Sequence, residues 1–372
     1  MKILLVSGDY PPKLGGISVY GAELADHLAR RPEVDRAWVL AFGRWDRAQE
    51  EDGPLTVLRR PRSGFFSQGL EIWRTVRRLK PDLIQVLTLF PEGFWVWLAA
   101  KLRGRPYFIS LYGTETAAAG GRAATRWAKR RTLGRAAGLF PISRATAAKA
   151  AASFGLARDK MTVINPGLTS LQEPGGQGPT RASLGFGPED IVVMTLTRLV
   201  KRKGVDYLIR ALALLPERIR LVVVGEGRDR ARLTELAQSL GLSDRVLFTG
   251  RVERTEPYYR LADIFVLAPV EDPASGDVEG FGIVLVEAQS LGLPVIGTDS
   301  GGVPEAFEPG RTGLLVRPGD AQALAQAVAR LAHDPDLRQR LGREGPRLVA
   351  ERYDWAVQAA GFVKAFEAVL GA

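Results

Sequence analysis

The sequence contains no cysteine and only two histidines, His27 and His333. Without cysteine there are no disulfides, no thiolate nucleophile and no cysteine-ligated zinc. Two histidines leave no plausible histidine-based metal cluster and little room for a Ser-His-Asp triad. Any catalysis must therefore use carboxylates, basic side chains, hydroxyls, backbone amides or the phosphates of a substrate.

Long apolar runs are also absent. The run at 3–6 has four apolar residues before Ser7, which is too short for the core of a signal peptide and typical of a first buried strand. No apolar run approaches the roughly 20 residues of a membrane span. We therefore expect a cytoplasmic protein.

The net charge of +10 is unevenly distributed. Residues 1–165 contain 27 Lys and Arg against 14 Asp and Glu, a net charge of +13, whereas the rest of the chain contains 24 against 27, a net charge of −3. A basic first part favours an anionic partner: a membrane surface, a phosphorylated acceptor or nucleic acid. A generally arginine-rich composition explains the same numbers, and both interpretations stay open.

Hydrophobic residues make up 46% of the 372 residues, enough for two ordinary globular domains. Short β-branched runs alternate with amphipathic stretches such as 17–30 and 70–79, and the alternation restarts after a Gly- and Pro-rich segment at 169–182. This pattern predicts two successive doubly wound α/β domains with parallel sheets, which bind ligands at the carboxyl ends of their strands. The predicted strands are 2–6, 37–41, 55–58, 83–87, 106–110, 138–142, 161–164, 191–196, 220–224, 246–248, 264–267, 294–297 and 313–316.

Two loops have residues that suit an anion. Residues 7–16 end in a glycine pair that opens a helix, where backbone N–H groups can approach a phosphate. In the second domain four cations within six positions follow strand 191–196, namely Arg198, Lys201, Arg202 and Lys203. They would repel one another without a counter-ion, which a diphosphate would supply. An ordinary glycine loop and a solvated basic loop are the alternatives.

Two further stretches raise the hypothesis of membrane contact. Residues 94–100 are unusually aromatic, although a buried helix face is the commoner cause of such a run. Residues 126–135 form a basic helical pattern with one tryptophan. The second stretch is either a solvated helix face or a docking site for anionic lipid.

The segment 279–287 has a glutamate at each end, with two glycines and an apolar run between them. A glutamate among apolar neighbours is costly unless a polar group meets it. The alternative is a buried segment whose charged ends reach water, and propensity alone predicts a strand over 281–286.

In this order the motifs resemble the retaining, GT-B-fold glycosyltransferases of family 4, and the resemblance covers nearly the whole chain. It depends on five motifs: Arg198 with Lys203-Gly204, Gly225-Glu226-Gly227, Gly250-Arg251-Val252, the 279–287 segment, and Gly301-Gly302-Val303-Pro304-Glu305. The resemblance implies two Rossmann-like domains facing across a cleft. The first, 1–168, would bind the acceptor and the second, 183–352, a nucleotide sugar, while the last helix in 353–372 would cross back to the first domain.

The resemblance also implies roles for individual residues. Arg198 and Lys203 would neutralise the donor diphosphate and stabilise the leaving nucleoside diphosphate. Glu279 would meet the donor sugar, and Glu287 would accept hydrogen bonds from the ribose. The family pattern further implies a loop that ends near Phe281 and a helix through Glu287, in conflict with the strand that propensity predicts.

The remaining implied donor contacts are Gly16, Gly225, Arg251, Val252, Phe281, Gly282 and Ile283. Gly16 would approach the phosphates from the first domain, Arg251 and Val252 would line the base, and the backbone of 281–283 would hold sugar and phosphate. Tyr112 is a candidate contact to the sugar or the acceptor. No metal or other cofactor is implied.

The implied reaction moves a hexose from a UDP- or GDP-sugar to a hydroxyl of a lipid-linked or anionic glycan precursor, with retention of the anomeric configuration. The family's usual front-face mechanism lets the leaving phosphate oxygen deprotonate the acceptor. The spacer 272–278 is similar to a branch that includes lipid-linked mannosyltransferases, which gives a lean to mannose. We also expect peripheral attachment to the inner face of a membrane.

Two residues depart from the family pattern. Tyr112 stands where the family commonly has His, within an otherwise matching segment 112–115. A tyrosine can donate a hydrogen bond but does not titrate near neutral pH. Thr197 stands where the family usually has Gly, directly before Arg198.

Two other functions remain as alternatives. Sugar-nucleotide 2-epimerases share the two-domain architecture, but they need acid and base side chains near the sugar. A non-catalytic protein that binds anionic lipid or nucleic acid is suggested by charge alone. It leaves Glu279 and Glu287 unexplained, and we expect no nucleic acid partner.

Overall fold

The computed structural model describes residues 1–13, 15–45, 49–51, 55–62, 64–113, 123–169, 178–272 and 277–371. The chain forms two compact units. One consists of Met1–Thr169 with Asp354–Ala372, and the other of Ser170–Tyr353. Most of the predicted linker, residues 170–177, lies outside the described part of the chain.

The first unit is built on a seven-stranded sheet with the spatial order β3-β4-β2-β1-β5-β6-β7. All neighbouring strands are parallel except β3, which pairs antiparallel with β4. The strands are β1 (Lys2–Ser7), β2 (Arg36–Gly43), β3 (Gln49–Glu51), β4 (Leu55–Pro61), β5 (Leu83–Val86), β6 (Tyr107–Leu111) and β7 (Gly138–Pro141).

Helices cover this sheet because its central strands are apolar on both faces, as in β1, where residues 3–6 are fully buried. The helices are α1 (Gly16–Ala29), α2 (Phe65–Leu79), α3 (Phe94–Arg103), α4 (Ala123–Arg135), α5 (Arg144–Phe154) and the final helix α12 (Trp355–Leu370). The final helix packs two phenylalanines on the sheet: the Phe366 ring lies 4.8 Å from Phe108, and the Phe362 ring lies 4.6 Å from Phe140.

The second unit has a six-stranded, wholly parallel sheet with the order β10-β9-β8-β11-β12-β13. Its strands are β8 (Ile191–Leu196), β9 (Ile219–Val224), β10 (Val246–Gly250), β11 (Ile264–Leu267), β12 (Val295–Thr298) and β13 (Gly313–Val316). Its helices are α6 (Val205–Leu212), α7 (Arg230–Ser239), α8 (Glu256–Leu261), α9 (Ile283–Ser290), α10 (Ala321–His333) and α11 (Pro335–Arg352).

The strand order of the second unit fixes where a ligand can bind. From β8 the chain continues to β9 and β10 on one side, and it then crosses to β11, β12 and β13 on the other. The loops that follow β8 and β11 therefore leave in opposite directions and open a crevice at the carboxyl edge of the sheet. The basic turn at 197–204 and the segment that leads to Glu279 are these two loops.

Three sequence predictions of local structure were wrong or incomplete. The predicted strand at 161–164 is an extended segment with a single β-bridge, between Met161 and Leu139, and Pro166 beyond it has no N–H to continue a ladder. The short strand β3 was not predicted. The strand that propensity predicts over 281–286 is instead the start of helix α9, because Gly282 adopts a left-handed conformation with φ 89° and the apolar residues after it are buried in the core.

Candidate active site

The basic turn after β8 is held against the loop after β11. Residues Lys201–Lys203 form one turn of 3₁₀ helix, and Gly204 then turns the chain into α6 with φ 64°. A Cβ at position 204 would overlap the carbonyl oxygen of Ala268. The Val270 N–H donates to the Arg202 carbonyl oxygen over 2.8 Å. Only glycine at 204 lets the two loops come this close.

An ion pair joins the side chains of these two loops. The Lys203 ammonium donates a hydrogen bond to Oε2 of Glu279, and both side chains are 13% exposed. One guanidinium nitrogen of Arg202 lies 3.7 Å from the same carboxylate oxygen. Burial disfavours ionisation of Glu279, but the charge and hydrogen bond of Lys203 and the charge of Arg202 outweigh it, so the pKa of Glu279 lies below its ordinary value. Glu279 is therefore a carboxylate at neutral pH.

The backbone of Glu279 is fixed by the glycine loop after β12. The Gly302 N–H donates to the Glu279 carbonyl oxygen over 2.9 Å. Gly301 has φ 57°, and a Cβ there would overlap the same carbonyl oxygen. The two glycines thus determine where the Glu279 segment passes.

Arg198 has a different environment from Lys203. Its side chain is exposed and forms no ion pair with any residue that the structure describes. The preceding Thr197 is 8% exposed, and its buried hydroxyl has no hydrogen-bond partner within the described ranges. Arg198 is therefore a cation available to an anionic ligand.

The turns after β9 and β10 lie beside Arg198. The Leu199 N–H donates to the Glu226 carbonyl oxygen over 2.9 Å, and a Cβ at Gly225 would overlap the Thr197 carbonyl oxygen. The Gly225 N–H donates to Gly250 over 2.9 Å, so the motif at 250–252 adjoins the same edge. There Arg251 is exposed and Val252 is half-buried.

Glu287 lies on α9, one helix turn beyond its start. Its Oε2 accepts a 2.7 Å hydrogen bond from the hydroxyl of the fully buried Tyr259, its only side-chain partner among the described residues. Burial raises the pKa of Glu287 above its ordinary value, and the Tyr259 hydrogen bond opposes this only in part. Glu279 and Glu287 are thus in opposite electrostatic environments.

The segment between the two glutamates begins the helix. The Phe281 ring is buried against Tyr353, with ring centroids 5.7 Å apart, so this side chain packs in the core of the second unit. Gly282 precedes the first residue of α9, Ile283, in a left-handed conformation. The first N–H groups of an α-helix have no partner within the helix and carry the positive end of its dipole.

The predicted site residues of the first unit lie at the carboxyl edge of its own sheet. Gly16 is exposed and is the first residue of α1. In the loop before it, the Gly8 N–H donates to the Thr88 hydroxyl over 2.7 Å. Tyr112 is 7% exposed, and its ring packs edge-on against Tyr20 at 5.2 Å. The rest of the matching segment, residues 114 and 115, lies outside the described ranges.

Sequence reasoning missed two partners of the site. Tyr259 was not considered, since nothing in the sequence links α8 to a glutamate 28 residues later. Asp277 was treated only as part of a spacer, yet its carboxylate pairs with Nε of Arg202 over 3.1 Å. The excess of cations in the basic turn is a signal that could have prompted a search for such a carboxylate.

The opposite pKa shifts of the two glutamates predict opposite effects of pH on stability. Glu279 adds stability above the ordinary pKa of 4.5 and loses it as pH falls through its lower folded value. Glu287 adds stability below 4.5 and loses it as pH rises through its raised folded value. From about pH 3.5 to 7, the stability advantage of the unchanged protein should grow relative to Glu279→Gln and shrink relative to Glu287→Gln.

Urea unfolding of the three proteins across this pH range measures the effect. Each glutamate serves as the control for the other, because both are replaced by the same uncharged residue. Trends of the same sign in both variants would contradict the assigned environments.

Comparison with known proteins identifies the family of the chain. The model of the family "Glycosyl transferases group 1" matches residues 177–348, and that of the "Glycosyl transferase 4-like domain" matches residues 15–167. The chain is 30% identical over 374 residues to the GDP-mannose-dependent alpha-(1-6)-phosphatidylinositol monomannoside mannosyltransferase of Mycolicibacterium smegmatis, with 96% of each chain covered.

Solved structures share the fold over nearly the whole chain. Anabaena HepE in complex with UDP superposes with a TM-score of 0.80 at 23% identity, covering 99% of this chain and 100% of that one. Sucrose-phosphate synthase from Thermosynechococcus elongatus gives a TM-score of 0.80 at 23% identity, with 99% of both chains covered. At this identity the structures show the fold alone. The matching family models and the full-length relative show that the chain belongs to the GT-B-fold glycosyltransferases of family 4.

Proposed function

We propose that this nucleotide-sugar glycosyltransferase transfers a hexose, mannose from GDP-mannose in the first instance, to a hydroxyl of a lipid-linked glycan precursor with retention of configuration. The observation that carries the proposal is the Lys203–Glu279 ion pair at the strand switch, in the same turn as Arg198, which has no ion pair with any described residue. This arrangement offers cations to a diphosphate and a carboxylate to the attached sugar. The mannosyltransferase name of the full-length relative supports the choice of sugar and of a phosphatidylinositol-type acceptor.

In this proposal the diphosphate meets Arg198 first. Arg198 is exposed and unpaired within the described part of the chain, and its planar guanidinium suits bidentate contacts to phosphate oxygens. Lys203, already at the crevice, supplies a second positive charge. Both charges stabilise the nucleoside diphosphate as it leaves, so no metal ion is needed for that purpose.

The two glutamates take separate roles. Glu279 is held ionised by two cations and accepts hydrogen bonds from the hydroxyls of the donor sugar. Glu287 is anchored through one oxygen by Tyr259, which leaves its other oxygen for the ribose hydroxyls. Gly225, Arg251 and Val252 then border the nucleoside. The glutamates are not a paired acid and base.

The bond changes follow from this placement. The bond from the anomeric carbon to the phosphate oxygen breaks, and the acceptor oxygen forms its bond to that carbon on the same face. The acceptor proton moves to the departing phosphate oxygen, so no side-chain base is required. This suits a chain with two histidines, one of which, His27, stacks on Trp355 in the first unit.

The first unit is proposed to present the acceptor at an anionic membrane surface. No helix in the described ranges is long and apolar enough to cross a membrane. Phe66 on α2 is 78% exposed and Trp127 on α4 is 57% exposed, and both helices contact α3. The same two helices carry exposed arginines, namely Arg74, Arg77 and Arg78 on α2 and Arg126, Arg130 and Arg131 on α4. Helices that carry both exposed aromatic rings and cations are typical of interfacial attachment.

A panel of nucleotide sugars tests the donor. Binding only to the folded state raises the unfolding temperature by mass action, so thermal shifts rank GDP-mannose against UDP-hexoses directly. Product analysis with phosphatidylinositol mannoside acceptors, including the anomeric configuration by NMR, tests the transfer. Absence of a shift with every nucleotide sugar, or inverted products, would overturn the proposal.

Removal of either phosphate-binding cation should weaken binding of GDP without unfolding the protein. We expect Arg198→Ala and Lys203→Ala each to raise the Kd by about 10- to 100-fold, because hydrogen bonds to charged groups contribute about 1.5–3 kcal/mol. Titration calorimetry measures the Kd, and circular dichroism checks folding. Arg210→Ala, an exposed cation on α6 with no ion pair among the described residues, is the control. Unchanged affinity in both variants would remove the phosphate assignment.

Membrane attachment should depend on the exposed aromatic rings and on lipid charge. Sedimentation with vesicles of phosphatidylglycerol and phosphatidylcholine should decrease in Phe66→Ser and Trp127→Ser and with added salt. The matched control is Leu214→Ser, which replaces a 62% exposed leucine of the second unit. Sedimentation that ignores lipid charge, salt and both rings would contradict membrane docking by this surface.

A further inference from the structure

We propose that Arg202 and Asp277 form a positioning pair that holds Glu279 in place and keeps it ionised when Lys203 turns to the donor diphosphate. The inference rests on the proposed function in one respect, namely that binding of the donor diphosphate draws Lys203 away from Glu279. The pair itself is a feature of the free protein. Neither residue was assigned an individual role from the family resemblance: Arg202 was only one of four cations in the basic turn, and Asp277 only part of the spacer 272–278.

The Arg202 side chain lies between two carboxylates. Its Nε is 3.1 Å from an oxygen of Asp277, and another nitrogen is 3.7 Å from Oε2 of Glu279. The second distance is too long for a hydrogen bond, and that nitrogen is buried without a hydrogen-bond partner in the described ranges. Arg202 thus acts on Glu279 through its charge and is oriented by its ion pair with Asp277.

The backbone makes the same connection. The Val270 N–H donates to the Arg202 carbonyl oxygen, and the Asp272 N–H donates to the Asp277 carbonyl oxygen over 2.9 Å. The loop that precedes Glu279 is therefore attached to the basic turn at Val270, and Asp277 is attached to Asp272 of the same loop. Glu279 follows Asp277 by two residues, and its carbonyl oxygen accepts a hydrogen bond from the Gly302 N–H.

The charges of this group define what happens when a donor binds. Arg202, Lys203, Asp277 and Glu279 together are neutral, and all four side chains are less than 20% exposed. If Lys203 moves its charge toward a diphosphate, Glu279 loses its hydrogen-bonded partner in a partly desolvated place. An unpaired charge in such a place is costly, so Glu279 would take up a proton if no other cation were near it. Arg202 remains as the cation beside Glu279 and keeps it a hydrogen-bond acceptor for the sugar.

The test compares Arg202→Gln, Asp277→Asn and the double variant with the unchanged protein. Because the two residues act as a unit, each single change should lower kcat/KM for GDP-mannose by about tenfold, and the double change should lower it no further. Affinity for GDP alone should change less than threefold (roughly) in all variants, because Arg198 and Lys203 are intact. Losses confined to the sugar-bearing ligand separate positioning of Glu279 from general damage.

Two further measurements distinguish a charge effect from a structural one. The acid limb of the pH profile of kcat/KM should move to higher pH in Arg202→Gln and stay in place in Arg202→Lys, which keeps the charge. Without any ligand, urea unfolding of Arg202→Gln should show its acid loss of stability at higher pH as well. The control variant is Arg317→Gln. It removes an ion pair of the same 3.1 Å length, between Arg317 and Asp320, in which the Arg317 side chain is 85% exposed, and it should change none of these values.

The outcomes separate the two proposals. If no nucleotide sugar binds the unchanged protein, the proposed function fails and with it the event that recruits Lys203, while the ligand-free pH measurement still decides whether Arg202 helps to keep Glu279 ionised in the free protein. If GDP-mannose turns over but the losses in the two single variants add, or GDP affinity falls equally, or the acid limbs stay in place in Arg202→Gln, the positioning pair is refuted.

Discussion

A partly buried carboxylate needs a counter-ion, and this requirement organises the second unit. Glu279 arrives on the loop after β11, while its partner Lys203 arrives on the loop after β8. Only at the reversal of strand order do these loops face one crevice. Gly204 and Gly301 are then required, because any side chain there would push apart the backbones that carry the pair. The ion pair therefore depends both on the strand order, which brings the two loops together, and on the two glycines, which let their backbones approach.

The two glutamates of the second unit, Glu279 and Glu287, differ in which neighbours stabilise them and in the direction of their pKa shifts. Cations lower the pKa of Glu279, whereas burial raises that of Glu287, whose sole side-chain partner in the described structure is the Tyr259 hydroxyl. A carboxylate paired with two cations can exchange one of them for ligand groups and keep the other. One anchored by a neutral hydroxyl keeps its geometry and gains from each hydroxyl donor that arrives. This difference suits a charged diphosphate sugar at one end and a neutral ribose at the other.

Much of the fold could be predicted from the sequence, because buried parallel strands are nearly pure runs of apolar residues. Strands such as 191–196 and 264–267 are observed with the predicted bounds. Local propensity failed at 281–286, where the core accepts β-branched residues on a buried helix and Gly282 sets the chain direction. It also could not find Tyr259, since a contact between distant segments depends on packing that no local pattern records. The family resemblance, which depends on the order of motifs along the whole chain, predicted the helix at Glu287 correctly.

One of the two departures from the family pattern, Tyr112, is built into the core of the first unit. Tyr112 takes the place of a common histidine and packs on Tyr20, which in turn packs on Trp355 of the final helix. Its ring is thereby part of the core of the first unit, where the chain has a phenol rather than an imidazole. The charged groups of the second-unit crevice do not depend on an imidazole either. If the leaving phosphate carries the acceptor proton, the chain needs charged groups at the crevice rather than a titrating base, and Arg198, Lys203 and Glu279 are of that kind.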